Sequence, residues 1–244
     1  MFFFKEKPIV FDCFTFNRQA YEWAPIKETR HFIPTWWKET QAEYPAGQVQ
    51  NAPASTIKRC EGFIELYKRG FMLPLWSDLA ITIGSLQRPE LSYVFASQEQ
   101  SMRDHPAWQR GQYLPEPNYA HGKIISPWAI RTKELVPCLI FQPTWNVHSP
   151  DMFIVPPAVV EYKYQAATNI NFFVTAINIK RAFNIPFNTP LMQIVPQTQR
   201  KFELKLHLVS EDEFNKVQNP IITFTRNYRT VRAEKERREK EGGK

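Results

Sequence analysis

The clearest pattern in the chain is Phe202-Glu203-Leu204-Lys205-Leu206-His207-Leu208. Phe202, Leu204, Leu206 and Leu208 share one face, and Glu203, Lys205 and His207 share the other. Strict alternation predicts a half-buried antiparallel strand. Residues 8–16 are β-branched and aromatic and predict an opening strand. Further strands are predicted at 124–132, 136–142, 152–155, 158–165, 170–179 and 191–198, and at Ile221 to Thr225. Phe71 to Ile83 reads as one strand bent at Pro74, and a turn is expected around Asn184 to Asn188.

Helical spacing is rarer. Over 55–69, Ile57, Cys60, Ile64 and Tyr67 recur at helical intervals. Ser55 stands as N-cap and Gly70 sits where a C′ glycine would end the helix, with Gly62 weakening its interior. Ser210 and Glu213 have the spacing of a capping box, which predicts a short helix ended by Pro220. Residues 97–110 are polar and predict a short helix broken at Pro106. Arg18 to Gln41 and Glu43 to Ala54 read as loops.

Composition sharpens the β reading. The chain has 20 Pro against 8 Gly, and 14% of it is aromatic. Proline cannot donate to a ladder, so it collects at strand ends, edges and turns. The expected fold is mainly β, a distorted sandwich or barrel with a few short helices and a C-terminal helical arm. With 244 residues and no internal repeat, the expected parse is a single β-rich domain over 1–225 and a charged helical tail over 226–244.

The net charge of +7 changes this picture less than its size suggests. Residues 226–244 hold eight Lys or Arg against four Glu, so the tail carries +4 of it. Alternating signs mark a solvated helix, and the body is only mildly basic, so nucleic acid is not the expected partner. The apolar start, Met1 to Phe4, runs at once into Lys5-Glu6-Lys7-Pro8, which is not a signal pattern. No stretch is long enough for a membrane span. A soluble protein made in a cytoplasm is expected.

Candidate chemistry is sparse. The three cysteines, Cys13, Cys60 and Cys138, form no C-x-x-C pair and read as reduced thiols. Cys60 shares the phase of Ile57, Ile64 and Tyr67 and is expected in the core. His31, His105, His121, His148 and His207 show no ligand spacing, so no metal site is expected. Nucleophile elbows and Gly-rich phosphate loops are absent, so no cofactor is expected and the balance leans away from an enzyme. Four proline–tryptophan corners remain: Pro34-Thr35-Trp36-Trp37, Pro74-Leu75-Trp76-Ser77-Asp78, Pro127-Trp128 and Pro143-Thr144-Trp145. Trp36, Trp37, Trp76, Asp78, Trp128 and Trp145 are the candidate binding residues, since tryptophan combines a large area with one donor. The competing reading is that these corners plug the ends of the β structure. Asp78 would then pair with an indole N–H or cap a turn.

Several of these elements resemble a poorly characterised family of tailed-phage proteins, of the kind found in cyanophages and marine phages, with bacterial relatives. They are Phe32-Ile33-Pro34-Thr35-Trp36-Trp37-Lys38, Lys58-Arg59-Cys60-Glu61-Gly62-Phe63, Gly70 through Asp78, Ser126-Pro127-Trp128 and Asn188 through Pro196. That family brings no function with it. A fainter resemblance is to trimeric dUTPases and dCTP deaminases, whose pocket strand supplies an acid and a tyrosine. In Val160-Glu161-Tyr162-Lys163-Tyr164 these would be Glu161 and Tyr164, with Pro190-Leu191-Met192-Gln193-Ile194 as the later strand. Glu replaces Asp there, no glycine follows Tyr164, and the Ser-bearing phosphate motif is missing.

The leading expectation is a phage-encoded, non-enzymatic binding protein. It would act in the host cytoplasm or be built into the virion, with a virion or host protein as partner and room for a homo-oligomer. The alternative is a nucleotide-binding or nucleotide-pool enzyme of dUTPase-like class, with Glu161 and Tyr164 as its catalytic candidates. Those two have opposite parity in a regular strand and would line one pocket only at a bulge or strand end. A metal-dependent oxygenase or hydrolase ranks third.

Overall fold

The computed structural model describes residues 6–84 except 49, and 90–97, 102–104, 109, 111–112, 114, 119–146, 153–175, 182–218 and 228–242. The first half of the chain contains strands β1 (Ile9–Thr15), β2 (Lys27–Glu28), β3 (Glu43–Tyr44), β4 (Ala54–Ser55), β5 (Phe71–Pro74), β6 (Leu79–Gly84), β7 (Glu90–Phe95) and β8 (Met102–Asp104). The second half adds β9 (Tyr119–Arg131), β10 (Pro137–Phe141), β11 (Phe153–Ile154), β12 (Ala158–Glu161), β13 (Ala167–Thr175), β14 (Ala182–Ile185), β15 (Pro190–Pro196) and β16 (Phe202–Leu208). The α-helices are α1 (Arg18–Glu22), α2 (Thr35–Glu39), α3 (Glu61–Tyr67), α4 (Glu211–Gln218) and α5 (Tyr228–Gly242).

The protein is mainly β. One sheet runs β11-β13-β9-β1-β16 with β8 also on β9, and a second runs β12-β10-β15-β5-β2. A three-stranded sheet, β14-β6-β7, and the small β3-β4 pair follow, and among the described residues no sheet closes into a barrel. The two large sheets meet as a distorted sandwich. In β1 every second residue points inward, so Ile9, Phe11, Cys13 and Thr15 are buried. Phe11 meets Phe71 of the opposite sheet at a ring separation of 5.3 Å. The three larger sheets share one apolar cluster, in which Trp76 of the β5–β6 connection stacks on Phe95 of β7 at 5.7 Å.

Strand β16 forms where alternation placed it, but it pairs parallel with β1, from Ile9 against Phe202 to Thr15 against Leu208. That corrects the antiparallel expectation: alternation reports a wet face and says nothing of strand direction. Leu208, at the end, is exposed. Phe71 to Ile83 is two strands in two sheets, because Pro74 and the Leu75 to Asp78 turn redirect the chain. The 55–69 helix is shorter than expected. Ser55 belongs to β4, Thr56 caps a 3-10 turn by accepting from the Lys58 N–H at 3.2 Å, and α3 begins only at Glu61. The Arg18 to Gln41 stretch holds α1, α2 and a 3-10 turn at Thr29–Phe32, with the Asn17 side chain capping α1 through the Ala20 N–H. Met102–Asp104 is strand where a helix was expected, while residues 105–108 and the strand expected at Ile221 to Thr225 lie outside the described residues. Residues 184 and 185 extend β14, so the turn begins after them, with Asn188 at φ +61°. The capping box holds: the Ser210 hydroxyl donates to the Glu213 carboxylate at 2.9 Å and accepts from its N–H at 3.3 Å.

Because α3 ends at Tyr67 with Lys68 as its C-cap, Gly70 lies two residues beyond the cap and not at the expected C′ position, and it takes φ +72° in the turn that follows. The turn carries the chain directly onto β15. Gln193 of β15, buried in the core, donates its amide to the carbonyls of Leu66 (3.1 Å) and Arg69 (3.2 Å). It satisfies acceptors that the helix end leaves open.

Candidate functional site

The structure brings three of the candidate tryptophans together and buries two others. Trp76 and Trp128 are fully buried and plug the core. The Asp78 carboxylate accepts from the Phe187 N–H at 2.7 Å and its carbonyl from the Ala96 N–H, so it caps a turn. Trp36, Trp37 and Trp145 meet on one surface.

That surface is assembled from three short elements. Pro34 opens α2 and presets the backbone for it. Neighbouring positions on a helix point about 100° apart. Trp37 therefore turns inward and stacks on Phe63 of α3, at 5.1 Å and 9° between planes, while Trp36 leans outward. Phe63 and Tyr67 lie four apart on one face of α3 and stack at 4.7 Å. The third element is the 3-10 turn Thr144–Asn146 that follows Pro143. Its Trp145 ring lies 5.9 Å from Trp36 and 5.4 Å from Phe63.

Polar bonds lock these rings. The Trp36 indole donates to the Trp145 carbonyl at 3.0 Å, and the Trp37 indole to the Ile57 carbonyl at 3.3 Å. Asn146 accepts from the Tyr67 hydroxyl at 2.6 Å and donates to the Phe32 carbonyl at 2.7 Å. Burial raises the pKa of the Tyr67 hydroxyl, so it stays a neutral donor. Lys58 holds the end of α2 through the carbonyls of Trp37 and Lys38, at 2.9 and 2.6 Å, and lies 4.3 Å over the Trp37 ring. Phe63 and Tyr67 are thus a buried base, while Trp36 keeps 38% and Trp145 45% of its surface exposed. Phe63, Tyr67, Lys58 and Asn146 were not among the candidate site residues. Tyr67 was read only as a helical-phase position with Ile57, Cys60 and Ile64, and its four-residue spacing from Phe63 was a signal left unused.

Cys60 also departs from expectation. It precedes α3 as N-cap and is exposed, because the helix starts too late to carry it inward. Cys13 and Cys138 are buried, with burial pushing Cys138 up to about 12 and, together with the neighbouring Asp12, raising Cys13 as well. The thiolate is the reactive form. Titration of native protein with an aromatic disulfide at pH 8 should therefore modify one thiol fast and the other two only on unfolding. Cys60→Ser should remove the fast phase; a fast phase that persists would place another thiol at the surface.

Glu161 and Tyr164 come to one side after all, because β12 ends at Glu161 and a turn follows in which the Tyr164 N–H donates to the Glu161 carbonyl at 3.0 Å. The side they share faces α5. Arg232 pairs with Glu161 at 2.8 Å and lies 5.3 Å over the Tyr164 ring. Lys163 pairs with Glu239 at 2.8 Å, and Lys235 donates to the Tyr164 carbonyl at 3.1 Å. Tyr164 is left 3% exposed. The tail thus docks on the body, chiefly through charge. Partly exposed pairs contribute about 0.2–1 kcal/mol each, so truncation after Arg226 should lower stability by only about 1–2 kcal/mol. The bond from Glu239 raises the Lys163 pKa, so on the lysine side this link is present at neutral pH and weakens as pH rises through that raised value. Limited proteolysis should show the tail released by salt at pH 7. A truncated chain that no longer folds would mean that the tail belongs to the core.

Among the described residues no group of three or more His, Cys, Asp or Glu is gathered to hold a metal, and no helix is long and apolar enough to cross a membrane. The His207 Nε2–H donates to the Asp12 carboxylate at 2.8 Å on the wet face of β1 and β16. No protein-family model matches the chain, and no curated protein matches it.

Proposed function

We propose that this chain is a non-enzymatic binding protein that docks a protein partner on the Trp36–Trp37–Trp145 platform. The observation that carries the reading is the pair of half-open indoles, Trp36 and Trp145, held in place by their own hydrogen bond over a buried aromatic base. Ring positions fixed in advance cost little entropy on binding, and tryptophan is the side chain most enriched at binding hot spots. The platform offers area and stacking, and among the described residues it shows no acid, base or nucleophile aligned for a reaction. The resemblance of its flanking motifs to tailed-phage proteins supports a phage-encoded product, either built into the virion or directed at a host protein. The nucleotide-pool alternative has less support, because Arg232 of α5 occupies the side of Glu161 and Tyr164 where a substrate would sit.

Quantitative affinity capture from the native host compares the wild type with Trp36→Ala/Trp145→Ala and with Val94→Ala, an exposed apolar control on β7. A partner retained by the control and reduced more than tenfold by the double variant supports the reading. Equal recovery with all three contradicts it.

A further inference from the structure

A cleft of about 420 Å³ lies beside the end of α3, and its lining is strongly biased in charge. Arg30, Lys68, Arg69, Arg200 and Lys201 line it, with Glu28 as the one carboxylate among the lining residues. The whole chain carries only +7, of which the tail holds more than half, so five cations around one cleft are a local concentration.

Not all of that charge is available. Arg30 is held by Glu28 at 3.0 Å, Lys68 by Glu65 at 2.9 Å, and Arg200 by Glu134. Arg69 and Lys201 are both exposed and make no ion pair among the described residues. Arg200 is also 3.7 Å from Glu6, so four carboxylates stand against the five cations, and the net excess of one positive charge falls on Arg69 and Lys201. The carbonyls at the end of α3 would repel an anion, but those of Leu66 and Arg69 are already bonded to Gln193. The cleft floor is fixed by Gly70, whose φ of +72° turns the chain, and by the 197–201 turn, where the Thr198 hydroxyl accepts from the Arg200 N–H at 3.2 Å. Phe202, half-buried, adds an apolar wall.

We infer that this cleft binds a small phosphate-bearing anion, with Arg69 and Lys201 as its principal contacts. Two cations without an ion pair among the described residues are left to neutralise a terminal phosphate, and a guanidinium offers the fork geometry that phosphate oxygens accept. The volume lies within the range of small-ligand sites and is too small to enclose a polymer. The same chemistry is presented by free inorganic phosphates and by organic phosphate esters. The inference is independent of the aromatic platform.

Isothermal titration of the full chain at low salt, with pyrophosphate, AMP and a 20-nucleotide single strand, tests it. Arg69→Ala and Lys201→Ala are compared with Lys216→Ala, which removes an exposed cation from α4 instead. Saturable one-to-one binding of pyrophosphate or AMP, weakened about tenfold or more by either cleft substitution and unchanged by the control, is the expected result. Tighter binding of AMP would identify esters as the source, and equal or tighter binding of pyrophosphate would identify free phosphates. The inference fails if neither small anion saturates by about 1 mM, if the control weakens binding as much as the cleft variants, or if only the oligonucleotide binds.

Discussion

Replacing Gly70 by alanine is expected to abolish the folded state. A Cβ at this position would lie 2.1 Å from the Ile194 carbonyl oxygen and 2.9 Å from its carbon. Neither chain can retreat. Ile194 is paired in β15 both to Phe71 of β5 and to Ile140 of β10, and the Gly70 carbonyl accepts from the Thr29 N–H at 3.1 Å. The backbone conformation alone costs an alanine roughly 1–2 kcal/mol. The overlap with backbone should bring the total above about 4–5 kcal/mol, the range reserved for severe defects. Gly47 provides the comparison: its φ is +88° but nothing lies within 4 Å of a Cβ there. Gly47→Ala should show only the conformational cost. Urea melts of the two variants check this, and a Gly70→Ala protein as stable as Gly47→Ala would mean that the α3–β15 contact is misplaced.

Phe11→Ala carries the next largest effect. Phe11 is fully buried at the centre of the sandwich, with ring contacts to Phe71 at 5.3 Å, Phe202 at 6.3 Å and Tyr162 at 6.4 Å. These partners sit on β5, on β16 and in the turn after β12, so a cavity there loosens both sheets. Truncating a buried phenylalanine costs about 3–5 kcal/mol, which for a domain of this size is a fall in Tm of roughly 6–20 °C. Val159→Ala, at a position 58% exposed, should stay within about 0.5 kcal/mol. Similar melting temperatures for the two would contradict the placement of β1 at the centre.

The strands were legible because their one-sided burial writes itself into the order of side chains. β1 and β16 show it best, with Phe11 and Leu204 on the inner faces and Asp12 and Lys205 on the outer. What could not be read was which strands meet: β1 and β16 are joined in parallel across almost the whole chain, and nothing local in either one encodes that partner. The tryptophans illustrate a signal present but unused. Trp76 and Trp128 have apolar neighbours in Leu75 and Ala129, and both are buried. Trp36 and Trp145 sit among Thr35, Lys38, Thr144 and Asn146, and both stay open. The proline corners looked alike; the neighbours' polarity separated them. In the tail, alternating charge suggested a freely solvated helix. Arg232, Lys235, Glu236 and Glu239 instead recur at the three- and four-residue spacing of one helix face, the face that meets Lys163, Tyr164 and Glu161.

The central claim is that the aromatic platform is where a partner docks. Site-specific photo-crosslinking tests it most directly, with a benzophenone amino acid at position 145 in one protein and at position 94 in another, each expressed in the cells in which the protein is naturally made. Both positions are exposed, but only 145 belongs to the platform. The expected result is one dominant protein adduct at 145 that is missing at 94 and is suppressed by adding Trp36→Ala. No adduct at 145, or the same adducts at both positions, would contradict the claim.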